Sequence, residues 1–435
     1  MNLARMLVLV TVFLSPLPFG SARPVWMWMI GIMVGVYGLS TVCYQYHKKK
    51  NFNNLDFSIL LPACLLCVLI FFRTLVELSP DLLEVDYFAL KHTNFDLIYP
   101  LIVYHVLFIA ILIDEWFAIH SEEILKAIVV CVFLYSAYGL WEFFRGEEMI
   151  LWFRKWHGIG ALSSTFVNRN SFAAYASLGV ILNLSILFRQ DSDVARSHQK
   201  GGWLPGLIQN PKSLFWSMTL VVISTAIILS GSRAAFLSLT ASALFLSAVS
   251  FSRRSSLKIF LSFLIFIGFL TLVSGEFLLG RFMELGWEEN RLVLYENLMQ
   301  QLKKRPWLGF YPWSFAETFS SFRLENIRWY YVRAHNDYIQ FWLEFGIAFG
   351  TMIMLLWAHI LVLLWKRSKS SSLGSSSHWA RSALAVVVYL SMHSFVDFSL
   401  QIPAVAINFT FILAIGFCAR RRKMLSTSQV GSLPP

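Results

Sequence analysis

Residues 338–365 read YIQFWLEFGIAFGTMIMLLWAHILVLLW, and Glu344 is the only Asp, Glu, Lys or Arg in this stretch. A bilayer is spanned by about 20 consecutive apolar residues in a helix, and this run is longer than that. It is therefore typical of a transmembrane helix. The stretch predicts a protein embedded in a membrane.

Apolar runs of the same kind recur along the whole chain. The chain of 435 residues is 57% hydrophobic and 14% charged, whereas soluble domains have about 25% charged residues. This composition excludes a soluble enzyme and predicts an all-α polytopic membrane protein. We expect twelve transmembrane helices, near residues 3–18, 25–45, 57–77, 97–117, 124–143, 170–188, 213–231, 234–251, 259–279, 338–365, 382–398 and 403–419.

The net charge of +11 indicates membrane topology rather than a nucleic-acid partner. The basic residues form short clusters between apolar runs, and the clusters after spans 2, 6, 8, 10 and 12 fall on one side of a twelve-helix protein. The positive-inside rule makes that side cytoplasmic and places both termini in the cytoplasm. These clusters are Lys48–Lys50; Arg189, Arg196, Lys200 and Lys212; Arg253, Arg254 and Lys258; Lys366, Arg367, Lys369 and Arg381; and Arg420, Arg421, Arg422 and Lys423.

The chain divides into five expected parts. Residues 1–160 and 338–420 hold the N-terminal and C-terminal transmembrane helices, and residues 161–279 hold helices that carry arginine motifs. Residues 421–435 form a cytoplasmic tail. Residues 280–337 form one large outer loop, which is rich in aromatic residues and is therefore expected to pack as a partly helical cap.

Four polar clusters lie at predicted outer ends of spans, on the same face: Asn168–Asn170, Ser230–Arg233, Arg333–Asp337, and His393 with Asp397. A helix N-terminus carries a partial positive charge and free N–H groups, and an arginine binds phosphate through two parallel hydrogen bonds. Three arginines, Arg169, Arg233 and Arg333, fall at or just before a predicted first turn. This pattern predicts an anion site able to hold a diphosphate without a metal ion.

Structural interpretations compete with this prediction. Ser232, Asn170 and Asp337 are common N-cap types, and Asp337 with Gln340 fits a capping box. An arginine near a helix end also snorkels towards lipid head groups. The recurrence beside Asn or Ser favours anion binding for Arg169 and Arg233.

His335 is the candidate general base, because an unperturbed histidine titrates near pH 6.5. Its neighbours Asn336 and Asp337 are expected to orient it, and a histidine at a loop–helix junction also has a purely structural interpretation. His393 and Asp397 are four residues apart, so on a helix they would share a face and could bond to each other. The alternative is that they hold the residues of the site in place without contacting the substrate.

Several segments together resemble the O-antigen ligase and polymerase superfamily of bacterial inner membranes. The resemblance covers roughly residues 160–400, and residues 1–160 share only the series of apolar spans. The segments are Ser164–Ala173, Ser230–Ala234, Arg305–Phe310, Ala334–Gln340 with Glu344–Gly346, and His393–Asp397.

The resemblance implies a membrane-embedded glycosyltransferase that needs no metal and no cofactor. Such a protein passes a glycan from undecaprenyl pyrophosphate to an acceptor hydroxyl on the periplasmic face, with inversion, and the acceptor is lipid A core or another glycan. The donor pyrophosphate would be held by Arg169, Arg233 and Arg291, and His335 would activate the acceptor. Supporting roles are expected for Asn168, Ser232, Arg333, Asn336, Asp337, His393 and Asp397.

Two alternatives stay open at this point. A polymerase that extends the glycan itself would share the donor and the chemistry with a ligase. A non-catalytic transporter of lipid-linked sugars would need polar residues near the middle of the bilayer. Few charges fall inside the predicted spans, which argues against transport.

Overall fold

The computed structural model is a nearly all-α helix bundle over the part of the chain that it describes. The described residues are 3–48, 58–61, 64–65, 68, 95–196, 210–250, 261, 264, 268, 286–310, 315–323, 327, 330–369 and 376–430. The helices are α1 (Leu3–Leu14), α2 (Pro24–His47), α3 (Phe95–Ile113), α4 (Glu115–Ile119), α5 (Ser121–Arg145), α6 (Arg169–Arg196), α7 (Pro211–Leu229), α8 (Arg233–Val249), α9 (Gly286–Lys304), α10 (Phe315–Phe322), α11 (Asp337–Ser368), α12 (Ser376–His393) and α13 (Pro403–Val430). Strands β1 (Met149–Ile150) and β2 (Phe153–Arg154) form an antiparallel hairpin, and 3-10 turns lie at Phe19–Ser21 and Ser399–Gln401.

The predicted all-α class is confirmed, whereas the count of twelve spans stays a prediction. Within the described part of the chain, five helices are long and apolar enough to cross a membrane: α2, α5, α6 as far as Gln190, α7 and α11. Shorter apolar helices are α1, α8 and parts of α3 and α13. Most of the predicted spans near 57–77 and 259–279 lies outside the described residues, as do Lys200, Arg253, Arg254 and Lys258.

Helix α6 lies at the centre of the bundle. It packs against α5, α7, α8 and α12, and its apolar stretch is fully buried. Polar side chains bond it to its neighbours: Ser185 Oγ lies 2.6 Å from Ser382 Oγ, and Asn183 Nδ2 donates to the carbonyl of Trp216 over 3.1 Å. Such interhelical bonds and small residues are common where helices pack within a membrane. These two bonds join α6 to α12 and to α7.

Helix α11 is broken at Gly346, which has φ +76° and ψ 168°. The N–H of Ile347, freed by the break, donates to the carbonyl of Pro306 over 2.8 Å, and the N–H of Phe310 donates to the carbonyl of Leu343 over 2.7 Å. The Arg305–Phe310 and Glu344–Gly346 segments therefore meet backbone to backbone.

A second hydrophobic core lies apart from that of the bundle. It joins α9, α10 and the first part of α11. Three leucines of α9 belong to the same cluster as Leu343 of α11 and as Tyr331 and Ala334, which precede that helix. His335 thus follows directly after a residue of this second core, Ala334. The core consists of Leu294, Leu298, Leu302, Phe315, Phe319, Ile327, Tyr331, Ala334 and Leu343.

The polar clusters and the described basic clusters lie at opposite ends of the same helices. Helix α6 begins at Arg169 and holds Arg189 near its other end, where Arg189 pairs with Glu122 over 2.7 Å. Likewise, α11 begins at Asp337 and ends after Arg367. This arrangement agrees with alternating spans, and the assignment of one side as cytoplasmic remains a prediction.

Candidate functional site

A cavity of about 320 Å³ lies where α6 and α8 begin. Three arginines line it, and they come from three different helices: Arg169 from α6, Arg233 from α8 and Arg291 from α9. The structure therefore brings together the three side chains that were predicted to hold pyrophosphate. The remaining lining residues are Asn170, Gly231, Ala234, Leu237, Ser238, Met392 and Val396.

Arg169 is the first residue of α6, and Asn168 caps this helix. The Oδ1 atom of Asn168 accepts a hydrogen bond from the N–H of Asn170 over 2.8 Å. The interpretation of Asn170 as the N-cap is therefore wrong by two residues. The cap leaves the side chain of Asn170 in the lining of the cavity.

Arg233 is the first residue of α8, and Ser232 caps it as predicted. Ser232 Oγ accepts from the N–H of Ala235 over 3.4 Å, and the preceding Gly231 has φ +64°, a conformation that glycine adopts without strain. One N–H at the start of each of these two helices is already bonded to its cap.

Arg291 reaches the cavity from α9. Its Nη1 donates to the carbonyl of Val396 over 3.0 Å. A guanidinium has five N–H donors, so this bond leaves further donors for an anion.

Arg333 does not belong with the other three arginines. Helix α11 begins at Asp337, four residues after Arg333, and Arg333 is absent from the lining of the cavity. The expectation of an arginine at or just before the first turn of this helix is therefore wrong.

His335 lies in the segment that leads into α11, in a left-handed backbone conformation with φ +53°. Its carbonyl accepts a hydrogen bond from the hydroxyl of Tyr295 over 2.8 Å. Its Nδ1 lies 3.7 Å from Oδ1 of Asp397, which is an ion-pair distance but longer than a hydrogen bond. The ring of Phe398 packs edge-on against the imidazole at 4.8 Å between centroids.

The sequence neighbours of His335 do not orient it. Asn336 caps α11 by accepting from the N–H of Ile339 over 3.0 Å, and its Nδ2 donates to the carbonyl of Phe395. The Asp337 carboxylate accepts from Ser394 Oγ over 2.8 Å and from Gln401 Nε2 over 2.7 Å.

The predicted capping box is also wrong. The N-cap is Asn336 rather than Asp337. Gln340 Oε1 accepts from the N–H of Ala334 over 3.0 Å, two residues before the cap.

His393 and Asp397 do not satisfy each other on a helical face, because α12 ends at His393. The Nδ1 atom of His393 lies 3.1 Å from Ser399 Oγ, and Oδ1 of Asp397 accepts from the N–H of Phe398 over 2.8 Å. The turn after α12 instead directs Asp397 towards His335. The predicted pairing of His393 with Asp397 on one helical face is therefore wrong, and a supporting role for these residues behind the site remains a prediction.

The carboxyl group of Asp397 is fully buried beside His335. Burial by itself raises the pKa of a carboxyl group, but the charge interactions with His335 and His393 and the hydrogen bond from the N–H of Phe398 outweigh it. They lower the pKa of Asp397 to about 2. Asp397 is therefore an anion throughout the neutral range.

The cavity and His335 are joined by two links. Val396 lines the cavity, and the next residue, Asp397, contacts His335. On α9, Arg291 lines the cavity, and Tyr295 one turn later bonds the His335 carbonyl. No sequence signal singled out Tyr295, because its partner is a backbone atom forty residues along the chain.

The fold and the site define a polytopic helical membrane protein with an arginine-lined cavity beside a histidine–aspartate pair. Residues 218–355 match the family model described as O-antigen ligase, and this match supports the resemblance to the O-antigen ligase superfamily that the motifs predicted. The match includes Arg233, Arg291 and His335, whereas Arg169 and Asp397 lie outside it. No curated protein matches the chain. The family match and the apolar helices together indicate a multi-pass bacterial membrane protein with a glycan-transfer role in O-antigen assembly.

Proposed function

We propose that the protein transfers a glycan from undecaprenyl pyrophosphate to an acceptor hydroxyl, with inversion and without a metal, at the periplasmic face of the inner membrane. The acceptor is lipid A core or another glycan. The observation that carries this proposal is the convergence of Arg169, Arg233 and Arg291 on one cavity, with His335 joined to it through Val396 and Asp397.

The cavity suits the head group of the donor. Each hydrogen bond from a charged group contributes about 1.5–3 kcal/mol, so two or three arginines suffice to hold a pyrophosphate. Ala234, Leu237 and Met392 form an apolar part of the wall. A lipid-linked diphosphate has this combination of a charged head and an apolar tail.

His335 is the base in the proposed reaction. The acceptor hydroxyl transfers its proton to Nε2, while Nδ1 remains on the side of Asp397. The acceptor oxygen bonds to the anomeric carbon from the face opposite the pyrophosphate. The bond between that carbon and the pyrophosphate oxygen breaks, and the arginines stabilise the charge that develops on the leaving group. The Asp397 carboxylate stabilises the imidazolium.

Purified full-length protein with a lipid-linked glycan donor tests these roles. We expect His335→Ala to lower turnover by about 10²- to 10⁴-fold while donor binding is retained, and Arg233→Ala to weaken donor binding. The matched control is Arg333→Ala, because Arg333 is also close to the site but does not line the cavity. Wild-type turnover by His335→Ala, or wild-type donor affinity of Arg233→Ala, would contradict the assignment.

Gel analysis of surface glycan after deletion of the gene distinguishes the acceptors. Loss of the whole ladder from lipid A core indicates a ligase, and a single-repeat band indicates the polymerase alternative. An unchanged ladder indicates another acceptor. The transporter alternative predicts that purified protein shows no turnover of donor at all.

A further inference from the structure

Helix α9 carries two side chains that reach two different parts of the site. Arg291 and Tyr295 are four residues apart and therefore share one face of the helix. Arg291 Nη1 bonds the carbonyl of Val396 at the cavity, and the hydroxyl of Tyr295 bonds the carbonyl of His335. The same rigid element thus holds both the arginine cavity and the segment that carries the base.

The backbone of His335 needs such support. A left-handed conformation costs a residue other than glycine about 1–3 kcal/mol and persists only where its surroundings hold it. The flanking residues are tied to α11, since Ala334 donates to Gln340 and Asn336 caps the helix. The bond from Tyr295 fixes His335 itself, and it comes from a different helix.

The hydroxyl of Tyr295 is a permanent donor. Burial raises the pKa of Tyr295 to about 12, although the nearby charge of Arg291 acts in the opposite direction. The phenol therefore stays protonated at any pH at which the protein works. Its bond to the His335 carbonyl does not depend on pH in that range.

We propose that Tyr295 is a positioning residue for the base: by holding the carbonyl of His335, it keeps the imidazole beside Asp397 and in register with the cavity that contains Arg291. The proposal rests on the function proposed above. Tyr295 acts through His335, without contact to the reacting atoms.

The test is Tyr295→Phe, which removes one hydroxyl and keeps the ring. We expect kcat for glycan transfer by the purified protein to fall about 10- to 100-fold, because a small misplacement of a catalytic group costs that much. The KM for the lipid-linked donor should change by less than about twofold, because the arginines are untouched. The matched control is Tyr330→Phe, because the hydroxyl of Tyr330 also donates to a backbone carbonyl, that of Ala316, over 3.1 Å. This control variant should keep the wild-type kcat.

A double-mutant cycle with His335→Ala separates positioning from general stability. If Tyr295 acts through His335, the double variant is no slower than His335→Ala alone, even if Tyr295→Phe also lowers the melting temperature. An unchanged kcat in Tyr295→Phe, a raised donor KM at unchanged kcat, or additive losses in the double variant would overturn the proposal. Full activity of His335→Ala would instead overturn the proposed function.

Discussion

At the scale of single residues, two acids compete for a role beside His335. Asp337 is close in sequence, but its two carboxylate oxygens accept hydrogen bonds from Gln401 and Ser394. Asp397 is 62 residues away from His335 in the sequence and lies beside its imidazole. The carboxylate beside the proposed base is therefore that of Asp397, the more distant acid in the sequence.

Replacement of the two acids should separate their effects. We expect Asp397→Asn to lower kcat by at least about 10²-fold, because an amide stabilises the imidazolium less well and allows the wrong tautomer. Asp337→Asn should chiefly lower thermal stability, because the amide keeps only one acceptor oxygen for two donors. Measurement of kcat and melting temperature for both variants checks this, and equal kcat losses would contradict the distinction.

The low pKa of Asp397 also gives a stability prediction. Its folded-state pKa of about 2 lies below the value of about 3.9 for an unfolded aspartate. The ionised carboxylate therefore stabilises the fold fully above about pH 4, and this contribution is lost as the pH falls towards 2. Thermal unfolding in detergent should show a smaller acid-induced loss of stability in Asp397→Asn than in the wild type. Equal losses would refute a depressed pKa.

At the scale of elements, the break in α11 decides where the first part of this helix packs. Before Gly346 the helix shares the second hydrophobic core through Leu343, and after Gly346 it continues as an apolar membrane helix. A Cβ added at Gly346 would lie 2.1 Å from the carbonyl oxygen of Trp307, and one added at Gly309 would lie 2.4 Å from the N atom of Gly346. Both glycines allow the two backbones to touch.

We therefore expect Gly346→Ala to lower the melting temperature strongly and to reduce glycan transfer, because the backbones must separate and His335 moves with its segment. Gly146→Ala is a matched control, since Gly146 also has positive φ, +69°, but no atom of the described residues lies within 4 Å of the added Cβ. That control should show only the strain of a left-handed alanine, about 1 kcal/mol. A loss in Gly346→Ala no larger than in Gly146→Ala would contradict the close packing.

At the scale of the whole molecule, the N-terminal helices are joined by a largely buried ion pair. The Arg5 guanidinium donates to both carboxylate oxygens of Asp114 over 2.8 Å, and Tyr37 donates to the same carboxylate over 3.2 Å. Helix α1 in turn contacts the far end of the chain, because Asn408 Nδ2 donates to the carbonyl of Val12. These contacts tie α1, α2 and α3 to one another and to α13.

Asp114→Ala should destabilise the protein by about 3 kcal/mol, because it removes the carboxylate that accepts two hydrogen bonds from the mostly buried Arg5 guanidinium. The double variant Arg5→Met with Asp114→Ala should recover part of this loss, because both members of the buried ion pair are then removed together. Thermal unfolding of the three proteins checks the prediction. A double variant less stable than Asp114→Ala would show that Arg5 contributes through other contacts.

The sequence by itself determined the class of the fold and selected the three arginines that line the cavity. Membrane helices follow from local apolar runs, and the N-cap of α8 follows from Ser232 beside the helix start, since both depend on near neighbours in the chain. The arginines and His335 were recognisable from residue type and motif.

Only the tertiary structure decided which groups meet. The break at Gly346, the pairing of His335 with Asp397 rather than Asp337, and the bond from Tyr295 to a carbonyl all join distant segments. Hydrogen bonds to backbone atoms leave no trace in side-chain patterns, and the turn that ends α12 at His393 changes the partner of Asp397. These contacts depend on how the helices pack, because packing fixes distances that sequence spacing does not contain.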